Sequence, residues 1–344
     1  MSQPSPVHVF CARPFPPAQL ERLRAVSPRL VITQRTVANR AELEAALTPE
    51  IEVLFSVFPP LTLAKLPHLR WFQCRSAGMN AVIDTPLWHA SHVALTNASG
   101  VHAVTMGEYT LGMMIALARD FLGYLSFQRR ATWPMQPKNH HEQFPGRELR
   151  GATVLIVGYG SIGREVGRQC AALGLRVLAV KREPSRRADT GFAVPGTGDP
   201  DGTIPERIVG PADLAAVLPG AEYVVVTTAL TPANRGLLGE AELRRMRPDS
   251  FLINIARGGV VDEPALVRAL RERWIAGAAL DVFAAEPLPP ASPFWGMENV
   301  IISPHISGVT PRYDEHVCTL FAENLRRYLA GEPLLNLVDR ALGY

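Results

Sequence analysis

The sequence predicts an α/β protein made of two doubly wound parallel-sheet lobes. Three observations predict it: short apolar runs alternate with helix-like stretches at the start of the chain, the same alternation resumes after residue 150, and a glycine-rich turn follows the first apolar run of that second series. In the first lobe, strands are expected at 7–11, 30–33, 52–55, 70–74 and near 93–96, with helices at 18–26 and 40–47. Residues 105–118 read as a long helix, apolar on more faces than one lobe can cover. Residues 132–150 are rich in Pro, His and Gln, lack periodicity, and read as a surface excursion. In the second lobe, strands are expected at 152–157, 176–180, 223–227, 251–254, 277–282 and 300–303, and the Gly/Pro/Asp-rich stretch 189–205 reads as a loop or hairpin.

The turn at 158–163 is the strongest single signal. Val154, Leu155, Ile156 and Val157 form the continuous apolar run of a strand buried on both faces, and Gly158, Tyr159, Gly160, Ser161, Ile162 and Gly163 follow in the spacing GxGxxG. Gly158 permits the tight turn, Gly160 removes a side chain that would block a pyrophosphate, and Gly163 lets the helix opening at Ser161 pack on the strand. The first N–H groups of that helix then point at phosphate oxygens. Alone, the motif also fits an ordinary glycine turn; strand, turn and helix in order make it a dinucleotide loop. Residues 164–173 are helical in pattern, Gly174 suits a C-cap, and the next strand ends where an acid would bond the ribose 2′-OH of NAD. That position holds Lys181 and Arg182, followed by Glu183, Pro184, Ser185, Arg186 and Arg187, so positive charge stands where a 2′-phosphate would lie. NADP is expected ahead of NAD, with Glu183 as the group that would still serve a ribose hydroxyl.

Composition narrows the class. The 344 residues are 47% hydrophobic and 19% charged, enough for two domains with their own cores and unlike a disordered or fibrous chain. The net charge of +3 is spread along the sequence without a Lys/Arg block, so no nucleic-acid partner is expected. Cys11, Cys74, Cys170 and Cys318 are far apart, with no CxxC pair and no Cys/His cluster of metal spacing, so no metal is expected and a reduced cytoplasm suits them. The first six residues carry no apolar signal region, and no run approaches the roughly 20 apolar residues of a membrane helix, so no membrane association is expected.

Polar groups of three types stand at successive strand ends of the second lobe, where an open α/β sheet takes its ligands. Arg257 follows one strand, Asp281 and Glu286 the next, and His305 the last. Reducing a ketone by hydride needs a proton donor for the new alkoxide, a cation that anchors the substrate carboxylate and polarises the carbonyl, and an acid that keeps the donor charged. His305, Arg257 and Glu286 match those roles. Each alone also fits a structural role, and their convergence behind a dinucleotide loop favours the chemical one.

The strings at 158–163, 254–259, 279–287 and 299–305, with Glu323, Asn324 and Leu325 and the stretch 331–344, resemble those of the D-isomer-specific 2-hydroxyacid dehydrogenases. The resemblance spans essentially the whole chain. It implies His305 as acid/base, Glu286 as its partner, Arg257 as the substrate cation, and a carboxylate-binding loop at Ser76, Ala77, Gly78 and Met79. It also implies cofactor contacts along Thr228, Ile255 and Ala256, with Asp281 on the nicotinamide carboxamide. The fold implied is a Rossmann NAD(P)-binding domain at 103–308 inserted into a flavodoxin-like substrate domain, 1–102 and 309–344, assembled as a homodimer.

Lys181 in place of the ribose acid is as in NADP-using glyoxylate/hydroxypyruvate reductase-like members, which implies a small 2-oxo or 2-hydroxy acid substrate. Ala229 stands where many members have proline, and Asn234 where threonine is usual. Glu286 in place of glutamine argues against the formate dehydrogenase branch. Phe55, Phe58, Met79 and Trp295 are candidate pocket residues that the sequence does not rank. The alternative function is a non-catalytic, NAD(H)-sensing corepressor of the same fold; the chain shows no disordered tail of the kind such scaffolds carry.

Overall fold

A computed structural model describes residues 5–133 and 146–343; the middle of the stretch expected as a surface excursion lies outside the described residues. The chain divides into two compact units, one comprising Met1–Val101, Thr190–Val194 and Thr310–Tyr344, the other His102–Asp189 and Pro195–Val309. Both are open parallel α/β sheets, as the alternation predicted.

In the first unit the strands are β1 (Val7–Cys11), β2 (Leu30–Gln34), β3 (Val53–Ser56), β4 (Trp71–Cys74) and β5 (Ala94–Thr96). Their order is β2-β1-β3-β4-β5, the doubly wound order of flavodoxin-like sheets. One face buries Phe55 and Trp71 against Phe321 of the terminal helix Tyr313–Ala330, with ring centroids 4.9 and 5.3 Å apart. A buried polar chain ties that helix down. Trp71 Nε1 donates to Thr96 Oγ1 at 2.7 Å, Thr96 Oγ1 donates to Gln73 Oε1 at 2.8 Å, and Asn324 Nδ2 donates to Gln73 Oε1 at 3.3 Å. The other face buries Leu54, Phe72, Met79 and Leu87.

The short segment Thr190–Val194 belongs to this first unit although it lies between strands of the second. Phe192 is buried in the core with Val101 and Phe321, and its N–H donates to Asn336 Oδ1 at 2.9 Å. Gly100, at φ +90°, allows the approach: a Cβ there would stand 2.1 Å from the Phe192 carbonyl oxygen.

In the second unit the strands are β6 (Thr153–Val157), β7 (Arg176–Val180), β8 (Arg207–Val209), β9 (Tyr223–Val226), β10 (Phe251–Asn254), β11 (Gly277–Leu280) and β12 (Val300–Ile302). The order β12-β11-β10-β9-β6-β7-β8 is that of a Rossmann sheet with one strand added, and it reverses direction between β6 and β9. Strand β8 was not expected: three residues are too few for periodicity to register. The helix expected at 105–118 runs from Ala103 to Ala118 and packs along the helix Ser161–Ala172. The latter ends as predicted, with Gly174 at φ +82° and its N–H donating to the Ala171 carbonyl.

Between β7 and β8 the chain makes the loop expected at 189–205, and a buried arginine organises it. Arg164, only 2% exposed, donates through Nη1 to the Asp199 carbonyl and through Nη2 to the Arg187 carbonyl, and its Nε lies 3.2 Å from Asp189 Oδ2. Asp199 in turn accepts from Tyr159 Oη at 2.8 Å and from the N–H groups of Thr203 and Ile204 at 3.0 and 3.2 Å. Glu165, also buried, accepts from the Gly198 N–H at 2.7 Å. A buried charge is tolerable only with its partners in place, and removing one leaves the others unsatisfied. Arg164→Leu should therefore destabilise the protein by about 3 kcal/mol, read as a fall of several degrees in the midpoint of thermal unfolding. A variant that melts with the wild type would show that the loop does not depend on this side chain.

Candidate active site

All strands of the second sheet are parallel, so their C-terminal ends lie along one edge, and the loops leaving β10, β11 and β12 are neighbours. The first carries Arg257, the second Glu286, the third His305. Asn254, buried at the end of β10, shapes the first loop: its Oδ1 accepts from the Ala256 N–H at 3.1 Å and its Nδ2 donates to the Arg257 carbonyl at 3.2 Å. Arg257 is exposed, with Nη1 donating to the Ala256 carbonyl at 2.7 Å. Gly258 lets this loop abut the next, because a Cβ at that position would lie 1.9 Å from the carbonyl carbon of Phe283.

The loop after β11 folds back so that Glu286 Oε1 accepts from the Phe283 N–H at 2.9 Å. Its Oε2 lies 2.7 Å from Nδ1 of His305. A carboxylate only accepts, so Nδ1 carries the proton, and Nε2 has no partner among the described residues. Burial pushes the Glu286 carboxyl up, but the hydrogen bonds from His305 and the Phe283 N–H, with the charge of Arg257, outweigh this and hold it below the ordinary glutamate range. Glu286 is thus ionised at neutral pH.

His305 sits at φ +55°, a left-handed conformation that costs a residue with a side chain about 1 kcal/mol or more. Asp281 supports it. The Asp281 carbonyl accepts the His305 N–H at 2.9 Å, Oδ1 accepts from Ile306 N–H at 2.8 Å and Ser303 Oγ at 2.5 Å, and Oδ2 accepts from Ser307 N–H at 2.9 Å. Asp281 is fully buried, and its carboxylate gathers the loop that carries His305.

The dinucleotide loop leaves β6 where the strand order reverses. Gly158 is at φ +106°, and a Cβ on it would meet the backbone nitrogen of Thr228 at 2.6 Å; a Cβ on Gly163 would meet the Gly158 carbonyl at 2.2 Å. A Cβ on Gly160 would meet nothing within 4 Å, and as N-cap of the helix Ser161–Ala172 this residue brings no side chain to the helix N–H groups. Two glycines therefore serve packing and the third leaves the opening a pyrophosphate fills, so the residues fit a dinucleotide. Ser161 and Ile162 begin the helix, half-buried beside that opening. Tyr159 is corrected: its ring is buried and its hydroxyl is held by Asp199, leaving only its backbone to face a ligand. The side chains of Ile255 and Ala256 are likewise core, so again only their backbone is available. Asn234 staples the wall beyond Thr228, donating to the Ala229 carbonyl at 2.6 Å and accepting from the Thr231 N–H at 2.7 Å.

At the end of β7, Lys181 Nζ donates to the Arg186 carbonyl at 2.5 Å, so its head pins the loop. Partial burial, then the nearby charge of Arg164, lower its pKa. Arg182 is exposed, 3.5 Å from Glu183 Oε1. Arg164 and Asp199, which hold this basic segment, left no periodic signal; a lone arginine in a first helical turn and an aspartate in a Gly/Pro-rich stretch read as surface.

In the first unit, the loop after β4 presents Ser76, Ala77 and Gly78 half-buried. The N–H groups of Ala77, Gly78 and Met79 donate to no acceptor among the described residues, a run of backbone donors suited to an anion. The side chain of Met79 is core, as is that of Phe55, which corrects both as pocket residues; Phe58 is half-buried and Trp295 exposed.

Comparison with known proteins agrees with this architecture. Residues 111–307 match the family described as D-isomer specific 2-hydroxyacid dehydrogenase, NAD binding domain. The glyoxylate reductase of Thermofilum pendens is 34% identical over 274 residues, 80% of this chain and 76% of that one. The (S)-sulfolactate dehydrogenase of Chromohalobacter salexigens is 36% identical over 269 residues, 78% of this chain and 80% of that one. Among solved structures, a D-isomer specific 2-hydroxyacid dehydrogenase from Xanthobacter autotrophicus Py2, in complex with NADPH and MES, superposes with a TM-score of 0.75 at 28% identity, covering 98% of this chain and 100% of that one. A Rossmann sheet of this order with this set of strand-end residues defines an NAD(P)-binding oxidoreductase. The chain belongs to the D-isomer specific 2-hydroxyacid dehydrogenase family, whose enzymes act on the CH–OH group of 2-hydroxyacids.

Proposed function

We propose that the protein reduces a small 2-oxo acid, such as glyoxylate or hydroxypyruvate, to the D-2-hydroxy acid, with NADPH preferred to NADH and His305 as the acid/base. The observation that carries this reading is the 2.7 Å contact between His305 Nδ1 and Glu286, with Arg257 beside them on the adjoining strand end. The relatives named glyoxylate reductase and the NADPH-bound structure support it.

Gly158, Gly160 and Gly163, with the backbone of Tyr159, Ser161, Ile162, Thr228, Ile255 and Ala256, would hold the dinucleotide, which supplies the hydride to the carbonyl carbon. His305 Nε2–H gives the proton to the carbonyl oxygen, so C=O becomes CH–OH. Arg257 draws electron density toward that oxygen and pairs with the substrate carboxylate, and the N–H groups of Ala77, Gly78 and Met79 in the first unit are donors of the kind a carboxylate accepts. Glu286 keeps the imidazole oriented through its contact with Nδ1. In the reverse direction neutral imidazole takes the proton.

Cofactor choice is read at Arg182, with Lys181 holding the loop in shape. Charge-assisted contacts to a phosphate contribute about 1.5 to 3 kcal/mol, so Lys181→Asp with Arg182→Ala should lower the NADPH to NADH ratio of kcat/KM by about 10-fold or more. An unchanged ratio across a panel of 2-oxo acids would show that these residues do not read the phosphate.

Reduction takes up a proton and oxidation releases one, so reduction should fall as pH rises while oxidation rises. Glu286→Gln replaces the carboxylate that His305 Nδ1 bonds at 2.7 Å, so the pH profile of reduction should change. His305→Ala should cost on the order of 10²-fold in kcat in both directions, with NADPH binding retained by fluorescence titration. A superimposable Glu286→Gln profile refutes the pair, and a fully active His305→Ala refutes the acid/base assignment.

Ile115, Phe121, Tyr124, Leu125 and Trp133, the last 82% exposed, are large apolar or aromatic side chains left exposed on and after the helix Ala103–Ala118. They support a homodimer, and light scattering should give twice the 37.6 kDa chain mass. The monomer mass at micromolar concentration would count against it.

A further inference from the structure

We propose that Tyr109 is a positioning residue for His305, acting through Ser303 and Asp281; the proposal rests on the reading of His305 as the acid/base. The left-handed turn at His305 exists because three consecutive N–H groups, those of His305, Ile306 and Ser307, converge on Asp281. How firmly that turn is held depends on how firmly the Asp281 carboxylate is held. Ser303 Oγ donates its single proton to Asp281 Oδ1 at 2.5 Å, so in its contact with Tyr109 Oη, also 2.5 Å, the phenol is the donor. Burial raises the Tyr109 pKa, which keeps that donor protonated.

A directional chain results, from the Tyr109 phenol to the Ser303 hydroxyl to the buried carboxylate. Each bond polarises the next, because the second donor is itself accepting a proton. Tyr109 belongs to the helix Ala103–Ala118, which precedes the sheet, and is linked to the His305 loop through this chain. The phenol completes the set of donors that fixes the imidazole opposite Glu286. Loss of the hydroxyl should loosen the presentation of His305 without touching the glycine loop.

The test measures kcat, KM for NADPH and the number of cofactor-binding sites by fluorescence titration for Tyr109→Phe, Ser303→Ala, the double variant and Ser303→Thr. Tyr109→Phe is expected to lower kcat per binding site by about 3- to 10-fold with KM for NADPH within about two-fold, as for a small misplacement of a catalytic group. The double variant should be no slower than the slower single, because both cut one chain, and Ser303→Thr, which keeps the hydroxyl, should retain the wild-type rate. A merely structural role would reduce the number of binding sites and leave kcat per site unchanged. Wild-type kcat in Tyr109→Phe, or single effects that multiply in the double variant, would overturn the proposal. His305→Ala, assayed alongside, separates the two failures: if it is inactive while Tyr109→Phe is unimpaired, only the chain is wrong, and if it is active, the acid/base reading falls first.

Discussion

The whole arrangement depends on the single direction of the second sheet. Seven parallel strands send every C-terminal end to one edge, so residues as far apart in sequence as Val157 and Val226 leave their strands side by side. The glycine loop leaves β6 at the reversal of strand order, and Arg257, Glu286 and His305 leave three adjoining strands further along. Gly258 then removes the remaining slack, since its backbone lies against that of Phe283 with no room for a methyl group. The strand-end loops bearing Arg257 and Glu286 therefore pack backbone to backbone, which sets the cation beside the carboxylate that bonds His305.

Charge is managed differently in different parts of this unit. Asp281, Arg164 and Glu165 are all buried, and each is surrounded by donors or acceptors that the backbone supplies. Such groups specify one arrangement of the loops around them, because any other leaves a charge unsatisfied. Glu286 and His305 are left partly exposed, their side chains at 35% and 46%, so the imidazole stays accessible. The same division holds in the basic segment, where Arg164 stays inside and Arg182 outside.

Much of this was legible in the chain. Strands buried on both faces appear as unbroken apolar runs, which is why β6, β9 and β10 were found nearly to the residue, and the strand-end polar residues could be named because their order follows that of the strands. What stayed hidden was set by distant partners. Tyr109, Ser303 and Asp281 lie far apart in sequence, and nothing local marks a tyrosine on an apolar helix as a donor to a serine 194 residues away. Met79 and Phe55 looked like pocket residues because size and position suit that role; only packing shows they are core. Thr190–Val194 was hidden for the same reason, a few apolar residues in a Gly/Pro-rich loop whose partners belong to the first unit.

That segment bears on how such a protein can be cut and recombined. The chain passes from one unit to the other after residues 101, 189, 194 and 309, so neither unit is a single insertion in the other. A gene fragment encoding 102–309 would still carry Phe192 and Val194 but leave behind Val101, Phe321 and Asn336, stranding two apolar side chains in water. The nucleotide-binding unit is thus no interchangeable cassette: a chimera drawn at its outer boundaries alone would inherit a plug without its socket. Exchange between relatives would preserve both cores only where 190–194 travelled with the first unit.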